Sequence, residues 1–141
     1  MKTPIRFVNH ASVLIGDAEN GILSDPWYEG DAFNKGWNLL YENKEEEIKE
    51  VIKLTSFIWI SHEHPDHFSI NFFKRYSQII KDKGIKILFQ KTRDKRVVSY
   101  LKGNKFEVIE IDFNKWIRLN NNLEVLCIKD RTYDSGLLIK L

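Results

Sequence analysis

The sequence has little cysteine, little proline and almost no excess of either charge. Its single cysteine, Cys127, excludes an intrachain disulfide and any zinc or iron–sulfur site built only from cysteines of this chain. Lys and Arg number 22 against 20 Asp and Glu, so the net charge of +2 gives no long-range attraction to nucleic acid or to an anionic membrane. No apolar run approaches the roughly 18 residues of a membrane span. We therefore expect a cytoplasmic protein that binds neither nucleic acid nor membrane.

The 141 residues, 43% of them hydrophobic and 13% aromatic, suit one folded domain with a sizeable core. The stretches IRFVNHASVLIG and GILSDPW, separated by DAENG, predict short antiparallel strands. NKEEEIKEVIKL predicts an amphipathic helix whose acidic face is solvated, while FIWI, IKILF and FEVIEI predict buried strands with helices between them. This alternation predicts an α/β layered domain with a partly antiparallel sheet at its start.

Caps and turns predict where several elements begin and end. Ser69 is placed to cap a helix that continues to Gly84, and Thr92 is placed to cap a helix that stops at Gly103. KWIRLNNNLEVLCIK predicts a hairpin around residues 120–122, and DSGLLIKL predicts a final strand. Within the hairpin, the alternation LEVLCIK predicts that Cys127 is a buried thiol without chemistry.

The strongest chemical signal is SHEHPDH, residues 61–67, which directly follows the strand FIWI and holds three of the four histidines. In an extended segment side chains alternate, so His62 and His64 face one side while Glu63 faces the other. Pro65 disfavours a helical conformation for His64 and keeps the segment extended or turned. Two imidazoles can therefore converge on one metal ion.

The two residues beyond the proline, Asp66 and His67, lie around the bend and can serve a neighbouring second ion. Zinc is the first expectation, and iron and manganese are alternatives, because imidazole and carboxylate ligands suit all three metals. A site without cysteine ligands can keep a position open for the water that a catalytic metal needs.

SHEHPDH resembles the H-x-H-x-D-H signature of the metallo-β-lactamase superfamily. VNHASVLI, ILSDPWYEGDAFNKGW and DSGLLI resemble the branch of CMP-N-acetylneuraminate hydroxylase-like proteins and, more distantly, that of ascorbate-6-phosphate lactonase-like proteins. The resemblance implies an αββα sandwich with metal at the strand ends, where His62 and His64 bind the first ion and Asp66 and His67 the second. Asp66 is also the predicted catalytic residue.

Two upstream residues also match this branch. Asp25 matches an early aspartate near the metals, and His10 matches the histidine of the G-H-[AS] start. From the residues alone, Asp25 can orient a ligand imidazole or serve as a turn residue. His10 can lie near the metals or cap backbone groups in its loop. The aromatic residues that follow Asp25 can line a pocket mouth, but we expect most of them to pack against the core: Trp27, Tyr28, Phe33 and Trp37.

The sequence departs from the superfamily after His67, because no further histidine follows. Asp134 is the one candidate for the place of the third histidine, and it can equally be a turn residue before the final strand. The resemblance places a bridging aspartate beyond Leu141. We therefore expect residues 1–141 to form one metallo-β-lactamase-like domain truncated at its carboxyl end: the first half of the sandwich plus a few strands. A homo-oligomer or a completing second segment is then expected to cover the open layer.

These residues are compatible with three functions. The leading hypothesis is a metal-dependent hydrolase that uses a metal-bound hydroxide on an ester, lactone or phosphate-type bond, with an activity that the incomplete ligand set can reduce to a vestige. The first alternative is an iron-dependent oxidoreductase related to CMP-sialic acid hydroxylase. The second is a non-catalytic scaffold or assembly module. A small-molecule substrate derived from a sugar is implied by the resemblance alone.

Overall fold

The computed structural model describes residues 3–141 as two sheets and four helices. The larger sheet contains, in spatial order, β1 (Ile5–Asn9), β2 (Ser12–Ile15), β3 (Ile22–Ser24), β4 (Phe57–Ile60), β5 (Lys86–Gln90) and β6 (Val108–Ile111). The smaller sheet contains β7 (Trp116–Asn120), β8 (Leu123–Lys129) and β9 (Ser135–Lys140). The helices are α1 (Glu45–Lys53), α2 (Ile70–Arg75), α3 (Ser77–Asp82) and α4 (Arg96–Gly103).

The larger sheet is antiparallel at one end and parallel at the other. β1, β2 and β3 pair antiparallel, and β3, β4, β5 and β6 pair parallel through helical crossovers. The predicted α/β arrangement, with its antiparallel start, is confirmed. Because the carboxyl ends of parallel strands lie at one edge of a sheet, the loops after β3, β4 and β5 emerge side by side.

Strand β4 is buried on both faces, which explains the unbroken apolar run FIWI. Ile58 and Ile60 belong to the core under the helices, and Phe57 and Trp59 belong to the core between the two sheets. Cys127 lies in the second core, and burial raises the pKa of its thiol to about 11, as expected for a structural cysteine. The described residues thus form three layers, helices on sheet on sheet.

Two helix predictions need correction. The helix predicted from Ser69 to Gly84 is divided into α2 and α3, because Tyr76 leaves the helical conformation with φ −100° and ψ 12°. Ser69 caps α2 as predicted, since its hydroxyl accepts a hydrogen bond from the Phe72 backbone N–H at 3.3 Å.

Thr92 does not cap α4, which begins only at Arg96. The Asp94 carboxylate accepts the Arg96 backbone N–H at 3.0 Å, while the Thr92 hydroxyl donates to the Asp94 carbonyl at 2.7 Å. The carboxylate lies nearer in sequence to the free backbone N–H groups of the helix and so takes the capping contact. In residues 3–141 the longest helices fall well short of the length and apolarity that a bilayer crossing requires.

Candidate metal centre

Four segments that are distant in the sequence meet at the carboxyl ends of β3 and β4. His10 lies in the β1–β2 turn, Asp25 follows β3, residues 61–67 follow β4, and Asp134 precedes β9. Their side chains touch one another directly: His10 contacts Asp66, Asp25 contacts His67, and Asp134 contacts His62. The sheet therefore collects all six residues that the sequence analysis assigned to metal binding, and the predicted supporting carboxylate, at one edge.

His10, Asp66 and His67 form the tightest group. Asp66 Oδ2 lies 3.0 Å from His10 Nε2 and 3.3 Å from His67 Nε2, and the candidate ligand atoms of the three residues lie within 4.8 Å of one another. Asp66 is buried, and its Oδ1 has no hydrogen-bond partner in the described part of the chain. An unpartnered buried carboxylate oxygen is costly unless a cation satisfies it. Two imidazole nitrogens and a carboxylate suit zinc, iron or manganese, so these residues fit the metal that the sequence predicts.

Asp25 fixes the orientation of the His67 ring. Its Oδ2 lies 3.0 Å from His67 Nδ1, which leaves His67 Nε2 directed at Asp66. The Asp25 carboxylate accepts hydrogen bonds from the Ser61 backbone N–H at 2.8 Å and from the Ser61 hydroxyl at 2.9 Å. Burial lowers the pKa of His67, but the hydrogen bond and charge of Asp25, with the charge of Asp66, outweigh it and raise that pKa overall. This geometry matches the predicted supporting role of Asp25, and its effect on metal binding stays a prediction.

The rings of His62 and His64 lie close together, with centroids 4.6 Å apart, across a bend at residues 62–63 rather than in the extended segment that the sequence predicted, and their binding of one ion stays a prediction. His62 Nδ1 lies 2.9 Å from the Ser61 hydroxyl and 3.2 Å from Asp134 Oδ1. Burial, followed by the nearby His67, lowers the pKa of His62 and favours the neutral imidazole, which is the form that binds metal. Asp134 is therefore placed beside the first pair of histidines, and its role as a ligand stays a prediction.

Sequence reasoning missed two residues of the site, Ser61 and Tyr133. The Ser61 hydroxyl lies 2.9 Å from His62 Nδ1 and 3.3 Å from His67 Nδ1, so a single side chain touches both histidine groups. Its position directly before His62 was the available signal. The Tyr133 ring lies 4.6 Å from the His64 ring, and nothing in the local sequence around Tyr133 indicates that contact.

The aromatic loop after β3 divides into a buried and an exposed part. Trp27 and Tyr28 are buried, which confirms packing for these two. Phe33 and Trp37 are 40% and 53% exposed. The Phe33 ring lies 5.5 Å from the His64 ring, and the Trp37 ring lies 6.2 Å from the His10 ring. Phe33 and Trp37 therefore border the opening of the metal centre.

The amino-acid sequence matches a known protein family. The family model described as a beta-lactamase superfamily domain matches residues 4–123. The cytidine monophosphate-N-acetylneuraminic acid hydroxylase of Cricetulus griseus is 30% identical over 129 residues, which are 89% of this chain and 22% of that protein. The chain thus spans about a fifth of the length of the curated relatives it matches.

Two solved structures share the fold. A mutant of the CmlA beta-hydroxylase superposes with a TM-score of 0.66 at 19% identity, covering 99% of this chain and 28% of that chain. A possible metal-dependent hydrolase from Veillonella parvula DSM 2008 superposes with a TM-score of 0.64 at 14% identity, covering 98% and 57%. The solved structures confirm the metallo-β-lactamase-like fold, of which residues 3–141 form three layers, and the sequence matches confirm the branch expected from SHEHPDH and its flanking segments. The chain belongs to the beta-lactamase superfamily, in which it has the metallo-β-lactamase fold and resembles the CMP-N-acetylneuraminic acid hydroxylases.

Proposed function

We propose that this chain holds metal at the carboxyl ends of β3 and β4 and acts in the hydrolysis of a polar ester, lactone or phosphate-type bond. The observation that supports it most is the buried carboxylate of Asp66. One oxygen lies between His10 Nε2 and His67 Nε2, and the other has no hydrogen-bond partner among the described residues. A cation is the group that such an arrangement lacks.

The ligands divide into two groups by position. His10, Asp66 and His67 would hold one ion, and His62 and His64, with Asp134 beside them, would hold a second. A bound zinc ion supplies Lewis acidity and lowers the pKa of a coordinated water to near neutrality.

The chain's own residues prepare the site for that chemistry. Asp25 and Ser61 hold the Nδ1 side of the imidazoles, so the Nε2 lone pair of His67 is available to a cation. Asp66 is the proposed catalytic residue, because its carboxylate lies between His10 Nε2 and His67 Nε2, where it would hold the ion and orient a water beside it. The ring of Phe33 and the ring of Tyr133 flank His64 and restrict the access of bulk water to that side.

An iron-dependent oxidoreductase is the second candidate. It is supported by the relatives, which include CMP-N-acetylneuraminic acid hydroxylases and the CmlA beta-hydroxylase. The same imidazole and carboxylate ligands suit iron. With one cysteine, this chain cannot itself build a cysteine-ligated iron–sulfur cluster, so electrons would have to come from another protein or segment.

The metal content of the purified protein tests these proposals. We expect about two zinc ions per chain, measured by inductively coupled plasma mass spectrometry after removal of loosely bound metal. Iron with a visible redox-dependent absorption would favour the oxidoreductase. Absence of bound metal would contradict both and favour the scaffold hypothesis.

Variants of the ligands test the assignment. His64→Ala and Asp66→Asn should each weaken zinc binding by more than about tenfold, since each removes a direct ligand. Asp17→Asn makes the same chemical change as Asp66→Asn at an exposed turn and should leave zinc binding unchanged. Full zinc binding by Asp66→Asn would refute the site.

A further inference from the structure

We propose that a cavity beside the metal centre binds an alkylammonium group of the substrate. This side cavity has a volume of about 150 Å³ and is lined by residues of the loops after β4 and β5, the start of α4 and the β8–β9 loop. Its lining includes Glu63, Phe89, Thr92, Asp94, Val97 and Tyr133. The inference rests on the proposed function, because the metal centre is where the rest of that substrate would react.

Tyr133 lines the side cavity and also contacts the histidines of the candidate metal centre. Its ring lies 4.6 Å from the His64 ring and 5.4 Å from the His62 ring. The Gln90 side-chain amide donates to the Tyr133 carbonyl at 2.5 Å and to the Ser61 carbonyl at 2.8 Å, which ties Tyr133 to β4 and β5. The cavity lies at the carboxyl ends of parallel strands, the edge where open α/β sheets bind ligands. The side cavity and the proposed metal site are therefore neighbours separated by one aromatic side chain, so one substrate molecule can contact both.

Part of the lining of the side cavity is apolar and aromatic. Phe89 and Val97 are buried, and Tyr133 presents a ring that is about half exposed. A cavity of about 150 Å³ has held a benzene-sized ligand in another protein core, so a compact group of about six heavy atoms fits. Apolar surface of this kind favours the methyl or methylene groups of a ligand over its fully hydrated parts.

The charge on the lining is negative. Glu63 and Asp94 both line the side cavity, and no lysine or arginine is among its described lining residues. Asp94 is compensated by Arg96, whose Nε and Nη2 lie 2.8 and 2.6 Å from Asp94 Oδ2. Glu63 is half-buried and forms no ion pair within residues 3–141, although its charge, after that of Asp94, contributes to the raised pKa of Arg96. A half-buried carboxylate in a lining that also contains aromatic rings favours a weakly hydrated cation over an anion.

Choline and 3,3-dimethylbutan-1-ol make a matched pair of probes, because they have the same shape and differ in the charge of one central atom. Each is titrated into ¹⁵N-labelled, zinc-loaded protein and followed by amide chemical shifts. We expect choline to bind at least about tenfold more tightly than the alcohol, with the largest shifts at Thr92, Val97 and Tyr133. Equal affinity for the two probes, or shifts confined to other parts of the chain, would overturn the proposal.

Variants test separately how the charge and the shape of the side cavity contribute to the binding of the two probes. Glu63→Gln should weaken choline binding about tenfold and leave the alcohol unaffected, whereas Glu50→Gln, on the exposed face of α1, should change neither. Val97→Phe should fill the side cavity and abolish binding of both probes. Unchanged choline binding by Glu63→Gln would contradict the assignment. Zinc content measured on the same samples tests the proposed function separately, so the two failures can be told apart.

Discussion

At the scale of single residues, the Ser61 hydroxyl is the contact that joins the two groups of candidate ligands. It donates to Asp25 Oδ2 at 2.9 Å and lies 2.9 Å from His62 Nδ1 and 3.3 Å from His67 Nδ1. A hydroxyl that donates to a carboxylate can still accept N–H bonds through its lone pairs. If Nδ1 of each imidazole carries the proton, it donates to this hydroxyl and Nε2 is left free for the proposed metal ion.

We predict that Ser61→Ala lowers the zinc affinity about ten- to a hundredfold, the usual effect of losing a residue that orients metal ligands. Ser61→Thr, which keeps the hydroxyl, should recover most of it. Competition with a chromophoric chelator measures the affinity, and ¹⁵N shifts of the imidazole nitrogens report the tautomers of His62 and His67. If Ser61→Ala changed neither the affinity nor the tautomers, Ser61 would have only a packing role.

At the scale of elements, α2 begins directly after the loop of residues 61–67, and one side-chain cap stabilises its start. The Ser69 hydroxyl accepts the Phe72 backbone N–H, and Phe72 and Phe73 of the same helix are buried in the core. We predict that Ser69→Ala lowers the free energy of unfolding by about 1 kcal/mol, as measured by urea denaturation.

Ser99→Ala is the matched control for the cap, since Ser99 is an exposed residue inside α4. Alanine favours a helix interior, so this variant should leave the stability equal or slightly higher. A similar loss of stability in both variants would show that Ser69 acts through something other than its cap.

The elements also show what the sequence could and could not predict. The apolar run Phe57–Ile60 and the alternation in Leu123–Lys129 encode strand burial locally, and both strands were predicted correctly. The break at Tyr76 has no proline or glycine to mark it, because the apolar spacing of Phe72, Phe73 and Ile80 continues across it. The local sequence pattern also could not decide whether Thr92 or Asp94 caps α4, since both side chains are able to accept a hydrogen bond from a backbone N–H.

For the candidate metal centre too, local sequence patterns predict only part of the structure. His62, His64, Asp66 and His67 lie within six positions, so their proximity follows from the sequence. The contacts of Asp66 with His10 and of His64 with Tyr133 arise only when the sheet brings distant loops together. Such contacts depend on tertiary packing, which no local pattern contains.

At the scale of the whole molecule, two apolar surfaces lie open. β1 is one of the two outer strands of the larger sheet, and its Ile5 and Phe7 are 71% and 68% exposed. On the smaller sheet, Trp116 and Leu138 are 50% and 47% exposed. An outer strand with exposed apolar side chains favours pairing with another chain. The predicted homo-oligomer or completing segment therefore stays a prediction that these surfaces support.

We predict that the 141-residue chain self-associates as its concentration rises, and that Phe7→Lys reduces this association by placing a charge on the outer strand. Sedimentation velocity over a range of concentrations measures it. Leu40→Lys introduces the same charge on a fully exposed loop residue and should have no effect. A chain that stays monomeric throughout the range would contradict the prediction.

The contact between His10 and Asp66 spans 56 positions, yet the two side chains lie 3.0 Å apart. With one cysteine, the chain has no disulfide of its own to lock so long a loop. An ion bound by both His10 and Asp66 would link the β1–β2 hairpin to the loop after β4. Such a reversible cross-link lowers the conformational entropy of the unfolded chain. The concentration of available metal would then set the stability of the packed β1–β2 hairpin as well as the activity of the site.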